Sequence, residues 1–428
     1  MMLYKKKLCV AISLVIASTT TANANNLPRE MAMGGTGVAS GLINTAGHTN
    51  PALLSSKSTK EVFSLAAPYF SVGVSDEDDL IDAIDNFQDS NVFENFENSI
   101  DNAELNIASI ESVKLNTSEL NNALAELDNK QVHVNALVGT SIAVATETIG
   151  IALTANGIVD VSSHVSYTDK QLLDDFNDEL SIVQSCLGTS TLSCAQQSQN
   201  LNFIDPVTGD VNFDPDQDIR STVNVSGIAI AELGASFSTS LTVAEHHVAI
   251  GVTPKFVTAK TINYSQSVND AELEDFDSDD YTTTHNNFNV DVGAIVSINE
   301  KWSTGVVVKN LIKQNYDNEY NAQYNYIIKP HTQVAIAYDG GWINAALDID
   351  ANKKYTSRGD EQVIAFGVEI DAFEVAQVRA GYRHDLENTD NSLYSAGIGF
   401  SPFGVHLDLG VAGNEREVNA SAMLGFKW

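Results

Sequence analysis

Apolar and polar residues alternate along long stretches of this chain. Between residues 132 and 144 one face of the pattern is aliphatic, whereas the other carries small or polar residues such as His133 and Asn135. The same alternation returns at 288–298 and at 403–411. A period of two residues is typical of a β-strand with one apolar and one polar face. The pattern predicts an antiparallel transmembrane β-barrel, with lipid outside and water inside.

About 14 segments of this kind can be placed along the chain, an even number as in bacterial outer-membrane barrels. They are 61–74, 132–145, 149–166, 220–240, 247–267, 284–298, 302–313, 327–338, 342–355, 362–371, 374–384, 392–400, 404–413 and 417–428. Most of them reach the roughly 9 to 11 residues that a tilted strand needs to cross a bilayer. The fold class predicted from these segments is therefore all-β.

The connections between the predicted strands alternate between short and long. Tight turns are expected at 146–148, 243–246, 299–301, 339–341, 371–373 and 401–403. The longer connections are 75–131, 167–219, 268–283, 314–326, 356–361, 385–391 and 414–416. Outer-membrane barrels place short turns in the periplasm and long loops outside. We therefore expect both termini in the periplasm of a Gram-negative bacterium and every long connection outside the cell.

Both ends of the chain favour the outer membrane. The last predicted strand contains Phe426 and ends at Trp428, and a terminal aromatic residue of this kind is thought to be recognised by the barrel-assembly machinery. At the other end, three lysines at 5–7 precede a short apolar stretch and a small-x-small site at 22–24. These features predict a secretory signal peptide over residues 1–24.

Charge restricts the function classes more than hydrophobicity does. The hydrophobic fraction of 43% and the mean hydropathy of −0.08 are ordinary, as expected when only alternate residues face lipid. The chain has 56 Asp and Glu against 23 Lys and Arg. This balance argues against nucleic acid as a partner and leaves outer-membrane lipid and lipopolysaccharide as the surroundings. Motifs of the G-x-S-x-G and H-E-x-x-H type are missing from the sequence, so we expect neither an enzyme nor a cofactor.

Residues 29–54 read REMAMGGTGVASGLINTAGHTNPALL, which resembles the start of the FadL-like outer-membrane family. Members of that family carry a Met-Gly-Gly-x-Gly stretch followed by Asn-Pro-Ala. The stretches 379–385 and 395–409 resemble the branch of this superfamily named conjugal transfer protein TraF. A plasmid protein of the same name is thioredoxin-like, and nothing in this chain resembles thioredoxin. The residues that match the N-terminal motif are Met33, Gly34, Gly35, Gly37, Asn50, Pro51 and Ala52.

The FadL resemblance implies a barrel of residues 61–428 whose N-terminal segment, 25–60, folds into the lumen as a plug. It also implies passive uptake of long-chain fatty acids or other hydrophobic compounds, so the expected ligand is a hydrophobic small molecule. Glycines tolerate the tight turns of such a plug, and Pro51 fixes a bend. A phosphate-binding loop at residues 35–41 is the alternative, although the spacing is GxGxxxG and no strand precedes it.

The inner faces of the predicted strands carry both positive and negative side chains. Two interpretations stay open: ion pairs between plug and wall in a hydrated interior, or a path for a polar or anionic solute. The residues concerned are Asp291, Lys309, Asp348, Glu369, Arg379, Arg383, His406 and Asp408.

The two longest connections are strongly acidic insertions. In 75–131, apolar residues recur at helical spacing, which predicts two or three amphipathic helices above the barrel rim. These helices would form a solvated cap, or a lid or docking site for a partner. In 167–219, Cys186 and Cys194 are close enough in sequence to form a disulfide in an oxidising compartment.

Alternating aspartates in these acidic regions suggest weak calcium sites, because calcium prefers carboxylate oxygens. Asp214, Asp216 and Asp218 form one such run, and residues 275–279 contain another. The first run departs from the EF-hand pattern because Ile219 stands where glycine is required. Solvated acidic loops are the alternative interpretation.

Three functions remain open from the sequence. A plugged barrel for hydrophobic compounds would retain an apolar ligand on purification. A structural or docking barrel of a conjugation or secretion apparatus would instead bind a partner through 75–131. A diffusion channel for polar solutes would conduct ions across a planar bilayer.

Overall fold

The computed structural model describes residues 27–56, 62–76, 78–146, 148–187, 201–205, 208, 210–268, 281–319, 321–373 and 375–428. The predicted signal peptide and the aspartates at 275–279 lie outside these residues. Fourteen antiparallel strands form a closed barrel, which confirms the predicted fold class. No helix in these ranges is long and apolar enough to cross a membrane.

The barrel strands begin and end within a few residues of the predicted positions, with three exceptions described below. They are β1 (Phe63–Asp76), β2 (Gln131–Ala145), β3 (Ile149–Ser166), β4 (Thr222–Val243), β5 (His246–Ser267), β6 (Thr282–Ser297), β7 (Trp302–Lys309), β10 (His331–Asp339), β11 (Ile343–Asp350), β14 (Val363–Ala372), β15 (Ala376–Asp385), β16 (Leu393–Phe400), β17 (Val405–Gly413) and β18 (Glu417–Lys427). Short turns connect them at one end, the short-turn end, and longer segments at the other, the long-loop end.

The first and last strands pair with each other and close the barrel. Strand β18 pairs with β1, and Phe426 lies opposite Leu65. The backbone of Trp428 accepts a hydrogen bond from the N–H of Phe63 at 2.9 Å and donates one to its carbonyl at 2.8 Å. The last residues therefore complete the hydrogen bonding of the first strand, so that the sheet has no open edge.

The outer surface of the barrel is apolar. Phe70, Phe256, Phe288 and Phe366 are each about half exposed, and their neighbours along the strand point inward and are mostly buried. So many exposed large apolar side chains on one surface indicate contact with lipid. The fold is that of an outer-membrane β-barrel.

An N-terminal plug, residues 27–56, fills the lumen towards the short-turn end. It contains helix α1 (Pro28–Ala32) and a 3₁₀-helix (Pro51–Ser55). Each helix begins at a proline, which suits the first helical position because its missing N–H would have no helical partner. Every residue of both helices is buried.

The two acidic insertions pack together into one helical insertion domain, which the sequence did not predict. Its aromatic core joins Phe96 of the first insertion to Phe176 and Phe213 of the second, and the rings of Phe176 and Phe213 stack at 4.7 Å. Leu80 packs with Val132 at the barrel rim. The helices are α2 (Leu80–Ser90), α3 (Val92–Asp101), α4 (Ile107–Leu127), α5 (Lys170–Cys186) and α6 (Pro215–Asp218).

The disulfide and the calcium site predicted from the sequence both involve residues of this domain. Cys186 is disulfide-bonded, and its expected partner, Cys194, lies outside the described residues. Asp214 caps the one-turn helix α6 by accepting the N–H of Asp216 at 3.1 Å, and its own N–H donates to Asp218 at 2.9 Å. No group of three or more potential metal-binding side chains occurs within the described ranges.

Two hairpins that the sequence did not predict fold from the long connections into the lumen. They are β8 (Gln314–Asn318) with β9 (Asn321–Ile328), and β12 (Lys354–Thr356) with β13 (Gly359–Glu361). The predicted wall strands 302–313, 327–338 and 342–355 were therefore too long. Their surplus residues lie in these hairpins or at Asn310, whose left-handed φ of 53° ends β7.

Candidate functional site

The plug is seated on glycines of the barrel wall. Gly34 has a φ of 74°, and a Cβ there would lie 2.7 Å from the carbonyl oxygens of Phe366 and Tyr382. On the wall, a Cβ on Gly381 would collide with the backbone of Met33 and Gly34, and one on Gly367 with Met33. Any side chain on these facing glycines would therefore push plug and wall apart.

Asn50 and Pro51 occupy a second glycine seat. A Cβ on Gly251 would lie 2.5 Å from the carbonyl carbon of Pro51, and one on Gly293 would collide with Asn50 Oδ1. Asn50 Oδ1 accepts the N–H of Ala52 at 3.0 Å, while Nδ2 donates to the carbonyl of Val38 at 2.9 Å. Nδ2 also donates to the carbonyl of Val306 in the wall at 3.3 Å, so this amide joins the two halves of the plug to each other and to the wall.

Buried wall charges also hold the plug. Arg29 of α1 donates to both carboxylate oxygens of Glu369, at 3.0 and 3.2 Å. Asp348 accepts the N–H groups of Gly37 and Val38 at 2.8 and 2.9 Å. A fork-shaped charge-assisted pair and a carboxylate on two N–H groups are both strong interactions, so the plug is fixed by polar contacts as well as by shape.

A wall network continues this contact away from the plug. Arg379 donates to Glu369 at 2.6 Å and also to Asp408, which in turn contacts His406. His406 hydrogen-bonds Ser401 near a short turn. Of the predicted luminal residues, Glu369 and Asp348 therefore contact the plug directly. Three others support Glu369 from within the wall, namely Arg379, His406 and Asp408. Asp291, Lys309 and Arg383 lie elsewhere.

The two inward hairpins form a roof over the lumen, and Asp160 of β3 binds both. Its carboxylate accepts the hydroxyl of Tyr326 on one hairpin at 2.7 Å. It also accepts the hydroxyl and N–H of Ser357 on the other, at 2.5 and 3.2 Å. Arg358, beside Ser357, pairs with Glu417 of β18 at 2.7 Å. The roof is therefore fastened to two wall strands, β3 and β18, which β2 and β1 separate in the barrel.

Between plug and roof lies a chamber of about 180 Å³. Met31, Gly34 and His48 of the plug line its floor, and Tyr326 and Tyr355 line its roof. His48 also hydrogen-bonds the hydroxyl of Tyr69 in the wall at 2.5 Å. Plug, wall and roof together line this luminal compartment.

Twelve of the residues that line the chamber are charged, six of each sign. The cations are Lys255, Lys309, Lys329, Lys354, Arg358 and Arg383, and the anions are Asp160, Glu232, Asp291, Asp350, Glu361 and Glu417. The predicted luminal residues Asp291, Lys309 and Arg383 belong to this set. The structure thus divides the predicted polar residues into a plug seat and a chamber.

The carboxylate of Glu361, in β13 of the roof, stays ionised in this chamber. Burial alone would raise its pKa, but the neighbouring charges of Arg383, Lys354 and Arg358 outweigh burial and lower the pKa to about 2. Arg383 donates to it at 3.0 Å. The roof is therefore held to the wall by charges over the whole physiological pH range.

Sequence reasoning missed the wall glycines and Asp160. The glycines carry a usable signal, because glycine in the interior of a strand weakens it and often marks a close approach of another backbone. They recur at inward positions of strands that face the plug motif, for example Gly251, Gly293 and Gly381. Asp160 gave no such signal, since its role depends on hairpins that were not predicted.

Among curated protein sequences, none matches the chain. Among solved structures, a TodX deltaS2S3 mutant monoaromatic hydrocarbon channel is 9% identical, with a TM-score of 0.44 over 96% of this chain and 99% of that one. The P. putida toluene transporter TodX is 10% identical, with a TM-score of 0.42 over 92% and 99%. A mutant Rh. blastica porin is 13% identical, with a TM-score of 0.29 over 86% and 100%.

One protein family matches the sequence itself. Its model, described as F plasmid transfer operon, TraF, protein, aligns with residues 47–350. The matched range begins in the plug, runs through the helical insertion domain and ends in β11, and it covers more than half of the chain. The chain therefore belongs to the TraF family of the F plasmid transfer operon.

Proposed function

We propose that the protein is an outer-membrane uptake barrel in which a solute enters at the long-loop end, occupies the chamber and leaves past the plug. In this proposal the long-loop end faces the outside and both termini face the periplasm. The observation that supports it is the chamber itself, which lies between plug and roof and is not filled by side chains. A purely structural barrel has no need of a charged compartment of this kind.

The size and lining of the chamber favour a small polar solute. An apolar cavity of about 150 Å³ is large enough for benzene, so the 180 Å³ found here suits a molecule only slightly larger. The resemblance of the plug motif implies hydrophobic compounds, fatty acids among them. A long fatty acid would require plug or roof to move, and an apolar solute would leave the chamber charges without water.

Docking is the second candidate function, and the helical insertion domain favours it. This domain has its own aromatic core, so it can present a stable acidic surface independently of the lumen. In a conjugation or secretion apparatus that surface would bind a basic partner. Such a role would not require the chamber to open.

The test of the uptake proposal is liposome swelling with the purified barrel, together with mass spectrometry of bound small molecules. The key variant replaces Asn50 and Pro51 with alanine, which removes the amide that joins the plug to the wall. We expect the variant to admit a small sugar or amino acid faster than the native barrel does. Asn95→Ala, at an exposed site of α3, is the matched control.

If neither the native barrel nor the plug variant admits solute, and no small molecule is retained, uptake is wrong and docking gains support. An apolar molecule retained by the native barrel and lost from the plug variant would instead assign the substrate to hydrophobic compounds.

A further inference from the structure

The chamber concentrates the positive charge of a strongly acidic protein. The chain has 23 Lys and Arg against 56 Asp and Glu, yet the chamber lining has six of each. The ratio of cations to anions is therefore higher in the chamber than in the chain as a whole. The question is whether the wall itself neutralises all of these charges.

On one side of the chamber the wall carboxylates are already occupied. Glu232 and Asp291 both pair with Lys255, at 3.3 and 3.2 Å. Asn310 donates its N–H to Asp291 at 2.8 Å, and its side-chain oxygen accepts from Lys255 at 2.9 Å. This group is a complete hydrogen-bonded unit with two anions and one cation.

The other carboxylates of the lining are occupied in the same way. Asp350 pairs with His331 at 3.2 Å and accepts Gln333 and the N–H of Val363, both at 2.9 Å. Glu361 pairs with Arg383. Glu417 pairs with Arg358, and Asp160 binds the roof, as described above. Each carboxylate of the lining therefore already has a bonded partner among the residues described.

Among the lining cations, the exposed Lys329 and the partly buried Lys309 form no ion pair with the described residues, and of these two only Lys309 is sheltered. It is the last residue of β7, two residues after Val307, which packs against the plug, and its side chain lines the chamber. Its cross-strand neighbour is His331, which pairs with Asp350. Within the described residues the side chain of Lys309 makes neither a hydrogen bond nor an ion pair, and Asp291 acts on it only through a longer-range charge attraction. A sheltered ammonium without a bonded anion is costly, and such local violations are expected at functional sites.

We propose that Lys309 binds the oxyanion group of a small solute held in the chamber. This inference rests on the proposed uptake function and names the class of solute, a small carboxylate or phosphate monoester. The ammonium supplies the charge, and the side-chain amide of Asn310, whose oxygen already faces Lys255, directs its NH₂ group away from that lysine. With an oxyanion bound, the ammonium of Lys309 gains a directly bonded anion, which none of the described wall residues supplies.

The test is calorimetric binding to the purified full-length barrel, with benzoate, phenyl phosphate and the neutral isostere benzamide as probes. We expect benzoate or phenyl phosphate to bind, and benzamide to bind more weakly or not at all. Lys309→Gln keeps the length and polarity of the side chain but removes its charge, and it should weaken oxyanion binding by about tenfold or more. Lys309→Arg should restore most of the binding.

Lys301→Gln, at an exposed short turn, is the matched control and should bind as the native barrel does. Heat-dependent migration on a denaturing gel shows that each variant is folded. Stronger binding of benzoate than of phenyl phosphate assigns a carboxylate, and the reverse assigns a phosphate. Equal affinity of native and Lys309→Gln barrels overturns the proposal, as does binding of benzamide as tight as that of both anions.

Failure of this inference differs from failure of the uptake proposal. If the swelling rate changes in the plug variant but not in Lys309→Gln, and no oxyanion binds, the Lys309 site is wrong and the uptake proposal stands. Oxyanion binding without any solute entry keeps the site and removes uptake.

Discussion

The lumen and the helical insertion domain arrange charge in opposite ways. In the lumen, acids are buried and each is held by a cation or a hydrogen-bond donor, as Glu369 is by Arg29. In the insertion domain, apolar rings fill the interior while acids such as Asp82, Glu94 and Glu111 are exposed. The barrel has lipid outside and water inside, so its polarity is inverted relative to a domain in water. A buried charge therefore indicates a fixed contact, whereas an exposed one adds mainly to the surface potential.

The largest effect is expected in the insertion domain. Phe96 is fully buried and contacts Phe176 and Phe213 edge-to-face. Phe96→Ala should destabilise the domain by about 3–5 kcal/mol, the usual loss for a buried phenylalanine. Limited proteolysis should then cleave the insertions while the barrel stays resistant. Loss of the whole barrel in this variant would show that the two regions do not fold separately.

A smaller loss is expected at the plug seat. Gly381→Val places a side chain where the backbone of Met33 and Gly34 lies, and overpacking of this kind costs about 1–3 kcal/mol. We expect a lower urea midpoint and a faster solute flux, because the plug is displaced. Ala380→Val, on the exposed outer face of the same strand, should change neither quantity. Unchanged flux in Gly381→Val would mean that the plug does not close the lumen.

The roof contact should be weaker still. Asp160→Asn keeps the shape of the side chain and one acceptor oxygen for Tyr326 or Ser357 but removes the charge, so we expect a net loss of about 1 kcal/mol. Single-channel recordings should show more frequent opening without a change in the barrel's resistance to heat. If opening frequency is the same as in the native barrel, the hairpins are not a gate.

The smallest effect is expected on the domain surface. Lys170 and Asp174 form an exposed ion pair one helical turn apart at 3.0 Å. Lys170→Gln should change the stability of the insertion domain by only about 0.3–0.5 kcal/mol, because water screens the pair. Thermal unfolding of the domain provides the measurement. A loss as large as that of Phe96→Ala would contradict the contrast between exposed and luminal charges.

The strand pattern was predictable because each wall strand meets lipid on one side and water on the other. Val138 and Ile142 point outward, and His133 and Asn135 line the chamber, as the alternation indicates. The hairpins at 314–328 and 354–361 were not predictable in the same way. Their residues meet the lumen rather than lipid, so their short strands lack an apolar face of regular period.

The plug motif was visible in sequence, but its seat was not. Gly34 and Asn50 were identified from the motif. Gly381, which faces Gly34, is about 350 residues away along the chain, and Gly293, which faces Asn50, is about 240 residues away. Glu369 and Asp291 also looked alike, as acids on inward positions. The fold places Glu369 under the plug and Asp291 in the chamber.

The sequence by itself determined the barrel, because alternating polarity is a local property that the two solvents impose on every strand. It also determined which segment carries the plug motif and that the long connections are acidic. Only the tertiary structure decided which charges neutralise one another, since ion pairing depends on distances between residues far apart in the chain. For that reason Lys309 stands out only after the partners of every neighbouring carboxylate are known.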